Sequence, residues 1–119
     1  FYGRVDLVLD PFPFSGGVTT CEALWMGVPV VTCPGATVAS RHAAGHLSAA
    51  GLAETIARDP DHYVDLALSL ATDLEHLAHL RANLRPRVAH SPLCDAPRFA
   101  QNLQTLLRSL WHRWTTHTH

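Results

Sequence analysis

Residues able to do chemistry concentrate between Asp10 and Thr32, in the run DPFPFSGGVTTCEALWMGVPVVT. Gly16 and Gly17 lack Cβ atoms, so a diphosphate can approach their backbone closely. Val18, Thr19 and Thr20 follow at the expected start of a helix. There, N–H groups without intrahelical partners, hydroxyls and the positive end of the helix dipole all suit an anion. Glu22 stands two or three residues into that helix, where a carboxylate can accept hydrogen bonds from vicinal ribose hydroxyls. The same residues admit a purely structural reading, in which the glycines make a tight turn, the threonines cap, and Glu22 complements the dipole. Spacing alone leaves both readings open.

Such a set needs a strand before the loop and another after the helix. The apolar run Val5 to Leu9 supplies the first and stops at Asp10, where prolines and paired glycines forbid more strand. Thr19 to Met26 has helical character and Gly27 ends it. Val28 to Thr32 is the second strand, of parallel type because a helix intervenes. The unit places backbone N–H groups at the carboxyl edge of a sheet, where nucleotides bind.

Downstream the pattern is helical. Pro34-Gly35 is a turn, and Ala36 to Ala50 reads as a small-residue helix closed by Gly51. Leu52 to Ala57 is a short helix or turn. Asp59 is an N-cap candidate with Pro60 at the first helical position, opening a helix to about Ala71 with Tyr63, Leu66, Ala67 and Leu70 on one face. Thr72 or Asp73 caps the next, from Leu74 toward His90, with Leu74, Leu77, Leu80 and Leu84 inward and an interruption expected at Pro86. Ser91-Pro92-Leu93 is a turn and Asp95 caps the last helix. There Phe99, Leu103, Leu106, Leu107, Leu110, Trp111 and Trp114 recur at steps of three and four, a stripe wide enough to cover a core or clamp a partner domain. Residues 1–114 are therefore read as one α/β unit and 115–119 as a frayed, disordered tail.

Composition excludes several function classes. The 119 residues carry ten acidic and nine basic side chains, so no broad attraction to nucleic acid or membrane is expected. Every basic residue is arginine, so no lysine of this chain can clamp a phosphate. Cys21, Cys33 and Cys94 are odd in number and far apart, which suggests neither a disulfide framework nor a zinc knuckle and fits a reducing cytoplasm. No apolar run approaches the roughly 18 to 20 residues of a membrane span. His42 and His46, and His76 and His79, have metal-compatible helical spacing, but no further ligand completes either pair, and solvated surface histidines are the expectation. Neither metal nor cofactor is expected. Cys21 is read as inert despite its place near the dipole, and Trp25 as core.

The chain resembles the C-terminal catalytic region of the O-GlcNAc transferase family, including its bacterial members fused to tetratricopeptide repeats. The likeness rests on Asp10 to Val31, then Ala39-Ser40-Arg41, Ala50-Gly51-Leu52, Ser91-Pro92-Leu93 and Trp111, in the family's order and approximate spacing. It implies the later part of the second Rossmann-like domain of a GT-B glycosyltransferase: two strands followed by several helices, holding the UDP of UDP-GlcNAc. The implied reaction is inverting transfer of GlcNAc to a serine or threonine of an acceptor protein. By resemblance, Gly17, Val18 and Thr19, flanked by Gly16 and Thr20, contact the diphosphate, and Glu22 binds the ribose. Helix N–H groups and a lysine of the family take the charge on the leaving UDP, which requires no metal.

Two departures stand out. Val18 occupies a position where most relatives have threonine, and Glu22 is commonly aspartate. The family's lysine, its uracil-reading residues and its acceptor groove all precede the position of Phe1. The chain, which opens without methionine, therefore reads as a piece of a longer enzyme. It is expected to be inactive alone, to contribute no catalytic residue, and to pack the missing N-terminal GT-B domain with its last helix. The alternative is a noncatalytic interaction module that kept the fold only.

Overall fold

The computed structural model describes residues Phe1 to His117. Strand β1 (Val8–Leu9) and strand β2 (Val30–Val31) pair in parallel, with Val8 opposite Val30 and Leu9 opposite Val31. Helix α1 (Val18–Trp25) makes the crossover between them. Parallel strands cannot be joined by a tight turn, so the helix between two β-branched runs dictates this pairing. Both strands are shorter than the apolar runs that produce them. Pro29 and Asp10 still extend the ladder, since Val8 N–H donates to the Pro29 carbonyl and Asp10 N–H to the Val31 carbonyl, each at 2.9 Å.

Backbone alternation turns Thr32 the other way, and there Ile56 forms a parallel bridge. Thr32 N–H donates to the Thr55 carbonyl at 3.2 Å and Ala57 N–H to the Thr32 carbonyl at 2.8 Å. This third edge follows a 3-10 turn at Ala53–Thr55, within the segment read as a short helix or turn.

Helix α1 ends as Gly27 adopts φ +75°, a conformation that side chains with a Cβ rarely take. Val28 N–H returns to the Ala23 carbonyl at 2.8 Å and Gly27 N–H to the Leu24 carbonyl at 3.1 Å, the paired reverse bonds of a Schellman end. Helix α2 is shorter than expected, His42–Ala49. The segment before it folds as a 3-10 turn at Val38–Ser40, because the Ser40 hydroxyl donates to the Thr37 carbonyl at 2.8 Å and competes with helical pairing.

Helix α3 (Pro60–Thr72) is capped as expected, with His62 N–H donating to the Asp59 carboxylate at 2.8 Å. Helix α4 (Leu74–Ala89) is capped by Asp73 through His76 N–H at 3.0 Å. It runs through Pro86 without stopping. Ala82 and Pro86 are both exposed, so the carbonyl deprived of its partner faces water. Leu77, Leu80 and Leu84 point inward, but Leu74 is 70% exposed: it opens the helix, a turn before the packed face begins.

The core gathers Leu24, Val30, Val31, Leu47, Leu52 and Leu84 around the sheet, with α4 packed on both α1 and α3. Burying each such side chain contributes about 1.5–3 kcal/mol. Trp25 does not join this core. It is 41% exposed, with the Arg85 guanidinium 4.7 Å above its ring, an aromatic face shielded by a cation in place of apolar packing.

Helix α5 (Ala96–His117) begins where Asp95 caps Arg98 N–H at 3.0 Å. It continues through residues 115–117, past the expected end at Trp114. The Thr115 and Thr116 hydroxyls donate back to the Trp111 and His112 carbonyls at 3.1 and 2.8 Å. The remainder of the expected tail, 118–119, lies outside the described residues. The whole apolar stripe of α5 is exposed, from Phe99 to Trp114, and the chain is elongated, with extents of 61 × 30 × 22 Å.

Candidate functional site

The loop between β1 and α1 is built on Asp10, the residue at which the first strand ends. Its carboxylate is buried and fully used. Oδ1 accepts Gly16 N–H at 2.7 Å, and Oδ2 accepts the hydroxyls of Ser15 at 2.8 Å and Thr32 at 2.6 Å. The Asp10 carbonyl accepts the Tyr63 hydroxyl from α3 at 2.9 Å. Burial, with the Asp10 carboxylate and Cys33 adding to it, raises the pKa of that phenol, which keeps it protonated as a donor. The ends of both strands and the first turn of α3 thereby fix one loop.

Ser15 carries the structure sideways. Its Oγ accepts Ala43 N–H at 2.8 Å, and its own N–H donates to the Ala39 carbonyl at 3.0 Å, so the first turn of α2 is tied beside the loop. The starts of α1 and α2 therefore converge on Ser15 to Gly17.

Gly16 is required by close approach. A Cβ there would meet the Thr20 hydroxyl at 2.8 Å, the Thr19 hydroxyl at 2.9 Å and the Asp10 carboxylate at 3.2 Å. Gly17 differs: only the His42 ring comes near, at 3.8 Å, leaving its outer side open. Gly17 is the N-cap of α1 and no side chain caps that end, so the first N–H groups of the helix have no side-chain acceptor.

The six residues singled out from the sequence thus fall into four places. Gly16 and Gly17 line the loop, and Val18 and Thr19 lie exposed at the helix start, Val18 at 74%. Thr20 does not present its hydroxyl outward. It is buried and donates to the Gly16 carbonyl at 2.9 Å, closing the loop from beneath. Glu22 is exposed one turn along the face of Val18, where its Oε2 accepts the Tyr2 hydroxyl at 3.3 Å. The same hydroxyl reaches the Thr19 carbonyl at 3.2 Å, so Tyr2 steadies both.

Asp10, Ser15, Thr32, Tyr63 and Tyr2 were not singled out. An acid ending one apolar run and a threonine ending the other were the available signals for Asp10 and Thr32. Tyr63 gave none, being 53 residues from its partner. Cys21 is half-buried, and burial, with Cys94 nearby, raises its pKa. Among the described residues no three His, Cys, Asp or Glu side chains gather as a metal site.

A parallel β–loop–α–β unit whose uncapped helix start meets a glycine loop at the strands' carboxyl ends is an α/β unit of the Rossmann-like kind. The particular group follows from comparison. The profile of glycosyl transferase family 41 matches residues 3–103, and the chain belongs to that family. It is 46% identical over 113 residues to a Petunia hybrida protein named "Probable UDP-N-acetylglucosamine--peptide N-acetylglucosaminyltransferase SPINDLY". It is 36% identical over 109 residues to the Caenorhabditis elegans UDP-N-acetylglucosamine–peptide N-acetylglucosaminyltransferase. These alignments span 95% and 92% of this chain but 12% and 10% of those proteins.

The structure of a Thermobaculum terrenum O-GlcNAc transferase mutant superposes with a TM-score of 0.83 at 43% identity, covering 92% of this chain and 21% of that one. The two parallel strands and following helices therefore match part of a GT-B catalytic region. No described helix is long and apolar enough to cross a membrane.

Proposed function

We propose that this chain forms the diphosphate- and ribose-holding part of an O-GlcNAc transferase. In the complete enzyme, GlcNAc would pass from UDP-GlcNAc, with inversion, to a serine or threonine hydroxyl of an acceptor protein. The observation that carries this is the uncapped start of α1, laid open beside Gly17 while Asp10 holds the loop from below. Backbone N–H groups of Gly17, Val18 and Thr19 face the diphosphate, Gly16 allows the approach, and Thr20 braces the turn. As the glycosyl bond breaks, negative charge grows on the diphosphate, and fixed N–H dipoles stabilise it without reorganising. Val18 loses a hydroxyl but keeps its N–H, so the site works through backbone. Glu22 accepts the ribose hydroxyls, with Tyr2 holding its carboxylate in place.

The exposed stripe of α5 packs the other GT-B domain in this reading, and the free cysteines suit a reducing cytoplasm. None of the loop residues reads the nucleobase, so recognition of uracil belongs elsewhere in the enzyme. Calorimetric titration of UDP into the chain, without divalent metal and with GDP as a second nucleotide, tests the site. Binding of both, lost in Glu22→Ala, is expected. A folded chain that gives no UDP binding would overturn the reading in favour of a module that kept the fold only.

A further inference from the structure

Across the loop from α1 stands a side chain that the glycine run does not contain. His42 opens α2, and its Nδ1 lies 3.8 Å from the point where a Cβ on Gly17 would sit. The ring is exposed and meets the Phe14 ring edge-on, with centroids 6.1 Å apart. It makes no hydrogen bond to a described residue. Its position is nevertheless fixed, because the next residue donates its N–H to Ser15 Oγ at 2.8 Å and Ser15 directly precedes Gly16. The contacts that shape the glycine loop also set where this imidazole stands.

The charge around the loop makes that placement informative. A nucleoside diphosphate brings at least two negative charges, and helix N–H groups offer only partial positive charge. The chain holds no lysine. Arg41, the neighbour of His42, directs its guanidinium to the Gly35 carbonyl at 2.9 Å. The Asp10 carboxylate beneath the loop is consumed by three donors. The imidazole is left as a side-chain donor on the open side of Gly17, able to donate from a ring nitrogen in either tautomer and to carry a full charge when protonated.

We propose that His42 is a diphosphate-binding residue, donating a ring N–H to the phosphate seated against Gly17 and the start of α1. This rests on the nucleotide-site reading above and adds to it a residue from a second helix. Such a donor strengthens as charge develops on the leaving diphosphate, so it serves the reaction as well as binding.

The test titrates UDP and uridine into the chain and into His42→Ala, His42→Gln and His42→Arg, with thermal melts of each. UDP affinity should fall about tenfold or more in the Ala and Gln variants, the value of one charge-assisted hydrogen bond. His42→Arg should keep most of it, and melting temperatures should not change. In the unsubstituted chain the His42 Cε1 proton resonance should move on titration with UDP and stay put with uridine, a readout that needs no variant. UDP binding with unchanged affinity in His42→Ala and a stationary His42 resonance would overturn this assignment alone. A folded chain that does not bind UDP would overturn the nucleotide-site reading and this assignment with it.

Discussion

Replacing Asp10 by asparagine asks whether the glycine loop is held by a buried charge. The side chain keeps its volume, and the amide oxygen can still accept Gly16 N–H. Its NH2 group, however, faces the hydroxyls of Ser15 and Thr32, both of which now donate to Oδ2. Thr32 is wholly buried, and Ser15 Oγ already accepts Ala43 N–H, so neither can turn to water for compensation. Bonds to a charged acceptor are worth about 1.5–3 kcal/mol against about 1 for neutral pairs, which puts the net loss near 2–4 kcal/mol. At about 4 °C per kcal/mol for a domain of this size, the midpoint should fall by about 8–16 °C. Circular-dichroism melts of Asp10→Asn and Asp59→Asn make the measurement. Asp59 is an exposed N-cap where asparagine caps nearly as well, so that variant should stay within about 0.5 kcal/mol of the parent. The double variant Asp10→Asn/Thr32→Val should be less destabilised than the sum of its parts, because the two groups share one bond. If Asp10→Asn melts no lower than Asp59→Asn, the carboxylate does not hold the loop and the reasoning fails.

The two glycines should separate stability from binding. Gly16→Ala forces its Cβ onto two threonine hydroxyls and should cost about 1–3 kcal/mol in urea unfolding, whereas Gly17→Ala meets only an imidazole at contact distance and loses a favourable N-cap residue, so it should cost less, within about 1 kcal/mol, while binding UDP less well. Burial, helped by His42, lowers the His46 pKa in the folded chain. The unfolded chain then binds a proton more readily, so the contribution is complete above the unfolded value near 6.5 and is lost as pH falls below it. The parent should therefore lose more melting temperature between pH 7.5 and 5 than His46→Gln does, values chosen at about one unit or more on either side of that titration.

The β–loop–α–β unit and the caps at Asp59, Asp73 and Asp95 were legible because each depends on neighbours in sequence. Glycine conformations, N-cap hydroxyls and carboxylates, and the alternation of apolar runs with breakers act over a few residues. What failed needed partners further away. Val5 to Leu7 did not join β1 because β2 offers pairing only from Pro29 onward. The helix expected from Ala36 waited until His42, since Ser40 found the Thr37 carbonyl first. Trp25 was read as core from its helix face, but Arg85 of α4 comes over its ring and leaves it partly in water. Within the candidate site, the glycines and Glu22 announced themselves. Asp10, which positions them, looked like the end of a strand, and His42 looked like one surface histidine among several.

The bond from Tyr63 to the Asp10 carbonyl spans 53 residues, whereas those from Asp10 to Ser15 and Gly16 span five and six. Closing the longer loop costs more chain entropy, by about 2 kcal/mol. During synthesis from the N-terminus, every residue of the glycine loop emerges well before α3 exists to brace it. The site is thus complete in sequence early and complete in structure late. The Phe12 ring likewise gains its neighbour, the Tyr63 ring at 5.3 Å between centroids, only when α3 docks.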